Sequence, residues 1–153
     1  MKRPFELYIL YLLYVLLLGN AIWAGLAMMA MPDGSALEMT KDVLARTPFK
    51  SFFLPGLVLF LFNGIFTLFT LIGLIAKPKW GWANSINLYK DKHWAWAYSL
   101  YAGVIVIAWI LVQITMIQFS LLQPVIAGVG LLILILTLLP RVMRYYTLSY
   151  ESK

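Results

Sequence analysis

Apolar positions in this chain gather into four long runs, 5–31, 52–76, 94–119 and 121–139, and polar and charged residues collect between them. A bilayer hydrocarbon core about 30 Å thick is crossed by about 20 helical residues. Each run therefore predicts a membrane-spanning helix, and the four together predict an all-α fold. The expected architecture is one transmembrane domain covering 1–153, an integral membrane four-helix bundle in up-down-up-down order.

Prolines sit at the margins of these runs. Pro4 precedes the first and Pro32 follows it, Pro55 and Pro124 fall in opening turns, and Pro78 and Pro140 follow the second and fourth. In a first helical turn the missing N–H has no intrahelical partner to lose, so proline is tolerated there. Uninterrupted helices follow, unlike the broken helices whose free carbonyls bind ions in many transporters. Within the first connection, Ser35-Ala36-Leu37-Glu38 matches a capping box and predicts a short amphipathic helix over 36–46, ended by Thr47-Pro48. Residues 120–123 leave room only for a turn, so the third and fourth helices must be antiparallel neighbours. After Pro140 the stretch 141–146 predicts a short basic amphipathic segment at headgroup level.

Charge gives this arrangement a direction. Lys2, Arg3, Lys77, Lys79, Lys90, Lys92, Arg141, Arg144 and Lys153 share one end of a four-span protein with Glu6, Asp91 and Glu151. At the other end Lys41, Arg46 and Lys50 are balanced by Asp33, Glu38 and Asp42. The whole net charge of +6 lies on one side, and the positive-inside rule puts both termini and the 77–93 loop in the cytoplasm. Met1, Lys2 and Arg3 before the first run imitate a signal peptide, but a cleavable apolar region is about 7 to 15 residues, so the run is expected to stay as a helix.

Composition removes whole classes of chemistry. The chain has no cysteine, and its apolar runs hold no Asp, Lys, Arg or His and only one acid, Glu6, at an end. Thiolate catalysis, dithiol redox chemistry and paired-carboxylate acid–base work have no residues to use. One histidine, His93, cannot build a multi-histidine metal site and is expected to lie solvated at the interface. The reading is a protein that is not an enzyme, with no metal site, no cofactor and no nucleic-acid partner. A lipid-modifying enzyme would require Asp33, Glu38 or Asp42 to converge on a metal at the outer surface.

Polar residues inside the runs are the candidates for function: Asn20, Asn63, Thr67, Thr70, Gln113, Thr115, Gln118 and Thr137. Asn63, Thr67 and Thr70 recur at helical spacing with Gly56 on the same stripe, which gives the second helix an inward face. An amide in hydrocarbon needs a partner, so Asn20, Asn63 and Gln113 are expected to face the interior, as interhelical glue or around a ligand. Trp109 lies one turn from Gln113 on the same face and would wall an apolar pocket. Small-residue ladders, Ala95-Ser99-Gly103 and Ala21-Gly25, mark close helix approach within the chain or between protomers. The nine tyrosines, with Trp80, Trp82, Trp94 and Trp96, all fall toward the inner side and suit an interfacial belt, with Tyr14 and Tyr101 deep enough to bond inside the bundle.

Thr47-Pro48-Phe49, Phe53-Leu54-Pro55-Gly56, Asn63-Gly64, Trp94-x-Trp96-Ala97, Trp109-Ile110-x-Val112-Gln113 and Leu122-Gln123-Pro124 resemble stretches of small bacterial four-span proteins described as hypothetical integral membrane proteins. The resemblance covers the second to fourth helices. It implies a four-helix fold in a bacterial inner membrane and carries over no catalytic residue. The intramembrane glutamate of small multidrug exporters and the cysteine pair of vitamin K epoxide reductase-like enzymes are both absent.

Together these features predict a small non-enzymatic inner-membrane protein. It would bind a lipid, a quinone-like or other apolar small molecule, or assist a membrane assembly. Asn63 and Gln113 would orient the ligand, Trp109 would pack on it and Asn20 would support them. The alternative is a homo-oligomer forming a pore or passive transporter.

Overall fold

A computed structural model describes residues 2–116 and 119–148 of the chain. Gln118, Tyr150, Glu151 and Lys153 lie outside the described residues. The chain forms four principal helices, α1 (Phe5–Ala30), α2 (Phe53–Ala76), α3 (Trp94–Met116) and α4 (Leu122–Leu138), followed by the short α5 (Pro140–Tyr145). The first three are long and apolar enough to cross a membrane. At 17 residues, α4 is shorter, about 25 Å at 1.5 Å per residue.

Successive helices run antiparallel. Tyr11 of α1 donates to the Leu74 carbonyl late in α2, whereas Gly25 meets Gly56 and Phe60 early in it. The end of α2 packs on the start of α3 through Gly73 and Trp94, and Gly103 of α3 lies against Leu134 and Gly130 of α4. Contacts between α1 and α4 close the set. The ladder residues face these internal contacts: Ala21, Ala95 and Ser99 are fully buried, and a Cβ on Gly25 would lie 2.9 Å from that of Phe60.

The second span is continuous, as expected, but it is not α-helical throughout. Residues Leu59–Ile65 form a π-helical segment inside α2, with Asn63 and Gly64 in it, so the helix is unbroken but locally widened. Gly56, Asn63, Thr67 and Thr70 are nevertheless all buried on its inward side.

The expected 36–46 helix does not form. Two 3-10 turns, Ser35–Leu37 and Lys41–Leu44, take its place. Ser35 does not cap a helix, because its N–H and Oγ both donate to Asp33 Oδ1, at 3.1 and 2.7 Å. An Asx turn has displaced the capping box. Glu38 adopts a left-handed φ of 52°, which ends the first turn. The connection still folds back on itself, with Phe52 N–H donating to the Pro32 carbonyl and the Phe52 ring buried.

Nor is His93 solvated, as its place in the loop suggested. Its ring is largely buried, Nδ1 accepts from Ala95 N–H at the first turn of α3, and Nε2 lies 3.2 Å from the Pro78 carbonyl. An acceptor at Nδ1 leaves the proton on Nε2, so the neutral ring caps the helix and holds the 77–93 loop against it.

The same end of the molecule is a packed aromatic cluster. Phe69, Trp80 and Trp94 pack as a triangle of rings, with centroids 5.2 Å (Phe69–Trp80), 5.0 Å (Phe69–Trp94) and 5.5 Å (Trp80–Trp94) apart, and Trp80 stacks on Trp82. Trp94, Trp96, Tyr98 and Tyr14 are buried, so these rings are core rather than an interfacial belt. Trp94 Nε1 donates to Pro78 O and Tyr98 Oη to Ala83 O, which seats the loop on the helix ends. Tyr101 likewise bonds this loop, at Ile86 O and Leu88 N, rather than another helix.

Tyr14 begins a relay across three helices. Thr137 donates to Ile133 O at 2.7 Å, which leaves its oxygen to accept from Ser99, 2.7 Å away, and Ser99 in turn accepts from Tyr14 at 3.0 Å. Each of these three hydroxyls is thereby satisfied, as a buried polar network requires.

Candidate functional site

At the opposite end from the aromatic cluster the helices leave a cavity of about 370 Å³, within the range of about 300 to 1,000 Å³ usual for small-molecule sites. Asn20, Asn63, Trp109 and Gln113 all line it, one each from α1 and α2 and two from α3. Four residues spread over 94 positions of sequence thus come to one space.

The reason lies in the helices' spacing and direction. Asn20, Ala24 and Trp23 face the cavity from α1 at steps of three and four residues, and Trp109 and Gln113 do so from α3 one turn apart. On α2, Leu59 and Asn63 line it from within the π-helical segment, where the local widening changes the direction of the side chains relative to a regular helix. Leu37 and Met39, from the connection between α1 and α2, line the end of it nearest that connection. Leu122, Gln123 and Ile126 of α4 complete the wall. Trp23 and Leu122 are 63% and 56% exposed, so the cavity opens laterally at the molecular surface beside α1 and α4.

Its polar chemistry is sparse and unsatisfied. Asn63 is 2% exposed, yet neither its Oδ1 nor its Nδ2 has a hydrogen-bond partner among the described residues. Gln123 is 3% exposed; its Oε1 accepts from Ser120 N–H at 3.3 Å while Nε2 has no partner among the described residues. An unpaired buried amide costs about 1–3 kcal/mol by protein mutational data, and more on an alkane reference. Asn20 and Gln113 are half-buried at the cavity wall. Among the described residues, no aspartate, glutamate, lysine, arginine or histidine lines this space.

Gln123 was not among the candidates, and neither was Trp23. The pointer to Gln123 is hairpin symmetry: Gln113 and Gln123 lie five residues either side of position 118, so a tight antiparallel turn sets them level with each other. Trp23 follows Asn20 by three residues and shares its face.

The acids of the connection between α1 and α2 form no second centre. Asp33 is engaged by Ser35, which also holds its carboxyl below the usual range, and among the described residues no three acids or histidines gather as metal ligands would. No family model, curated protein or solved structure matches this chain.

Proposed function

We propose that this chain is a non-enzymatic bacterial inner-membrane protein whose four helices cross the bilayer up-down-up-down, both termini cytoplasmic, and hold an apolar molecule in the cavity. The observation that carries this reading is the buried Asn63, unpartnered at both polar atoms among the described residues, in a space walled mostly by Trp109, Trp23 and other apolar side chains with Asn20, Gln113, Ser120 and Gln123 as its other polar lining. An apolar wall with a few convergent polar groups is the character of a hydrophobic-ligand site. The lateral opening lets such a ligand enter from surrounding lipid without crossing water.

A homo-oligomeric pore has less support. Its interface would be the small-residue ladders, and these are occupied by contacts inside the chain. The basic surplus at the aromatic end supports that end as cytoplasmic, since Lys2, Arg3, Lys77, Lys79, Lys90, Lys92, Arg141 and Arg144 gather there and the acids among the described residues at that end are Glu6 and Asp91.

Mass spectrometry of the full chain purified gently in a mild detergent tests the proposal. A retained lipid or other apolar molecule is expected, and Trp109→Ala is expected to lower its occupancy severalfold. Protein that emerges empty under every gentle extraction would overturn it.

A further inference from the structure

Resting on the binding reading, the unmet hydrogen-bonding capacity of the cavity narrows what its ligand can be. Asn63 presents two N–H donors and one carbonyl acceptor, and Gln123 Nε2 presents two more donors while its carbonyl is already taken by Ser120. The buried, unpartnered set therefore holds more donors than acceptors. A group that met it would offer one or more carbonyl or ether oxygens together with a hydroxyl or N–H.

Charge is excluded by the same lining. An ionised head brought into this space finds no counter-charge, and taking a charge out of water without one is unfavourable by far more than an unpaired amide. A bare quinone, which only accepts, would leave Asn63 Oδ1 unmet; an alkane would leave every group unmet.

We infer that the cavity selects lipids with an uncharged, acceptor-rich head that also donates one hydrogen bond, such as the ester and hydroxyl pair of an acylglycerol or the amide of a fatty amide, with the acyl chain against Trp109. Asn63 reads both the acceptor and the donor of that head, and Gln123 supplies a second donor to its oxygens. A charged phospholipid head stays outside, at the lateral opening.

The test uses probes sharing one twelve-carbon chain: 1-dodecanoylglycerol, dodecanamide, dodecane, dodecanoate and dodecyltrimethylammonium. Binding to the full chain in detergent is read by native mass spectrometry against Asn63→Leu and Gln123→Met, substitutions that fill the space with apolar groups of similar size. The wild type is expected to bind the two neutral-headed probes on the order of tenfold or more above the other three. Asn63→Leu is expected to erase that preference while dodecane still binds, and Gln123→Met to reduce it.

Equal binding of dodecane and 1-dodecanoylglycerol by the wild type would overturn head recognition and leave the apolar site standing. So would tightest binding of either ionic probe, or a preference unchanged in Asn63→Leu. If none of the five probes binds, the binding reading itself fails. Should Asn63→Leu not fold, the head preference of the wild type and its loss in Gln123→Met decide the matter.

Discussion

Both ring nitrogens of His93 are engaged, one as the acceptor that caps α3 and the other at the Pro78 carbonyl. Burial, reinforced by the charge of Lys77 and opposed by the Pro78 bond, lowers its pKa below the ordinary 6.5. The unfolded chain then binds a proton more readily than the folded one. The stabilisation is complete above about pH 6.5 and declines as pH falls from there through the folded-state value. Thermal denaturation in detergent should show this loss between pH 7 and 5. His93→Asn, which keeps a capping acceptor but cannot titrate, should remove that part of the pH dependence. The candidate amides were readable for a different reason. Asn20, Asn63 and Gln113 stand out because an apolar run tolerates an amide only with a partner or a ligand, whereas His93 in a loop among lysines gives no sign that the chain behind it will bury it. Gln123 was missed because its position beside Pro124 suits a turn as well as a site.

At the scale of elements, the crossing of α1 and α2 depends on glycine. A Cβ at Gly25 would sit 3.0 Å from the Gly56 carbonyl as well as against Phe60, so Gly25→Val must push α1 away from α2. The expected cost is about 1–3 kcal/mol, read as a lower denaturation midpoint, together with a changed cavity wall one turn away. Gly19 meets nothing within 4 Å, so Gly19→Ala should be neutral or raise stability by about 0.5–1 kcal/mol. The small-residue ladders were visible as i, i+4 spacing, but not the π-helical segment. Apolar periodicity barely distinguishes 3.6 from 4.4 residues per turn over seven positions. The lost 36–46 helix has a local cause too: Ser35 lies two residues beyond an aspartate whose carboxylate takes its N–H first.

At the scale of the molecule, the two ends do different work. One is filled by stacked aromatics, a hydroxyl relay and the loop sealed onto α2 and α3; the other is left hollow, with its polar groups unspent. Helix number and approximate limits follow from run length alone, because hydrocarbon thickness dictates it. The cavity does not, since it depends on side chains failing to fill a space that four elements define together. The absence of native cysteine permits a clean test of orientation, with single cysteines at the exposed Lys79 and Lys50. An impermeant thiol reagent applied to intact spheroplasts should label Lys50→Cys and spare Lys79→Cys until the membrane is opened. The most direct measurement is an experimental density map of the full chain reconstituted in native lipid. Elongated density reaching from the opening beside α1 and α4 past Trp109 to Asn63 is the expected result; an interior closed by side chains, with Asn63 bonded to protein alone, would contradict it.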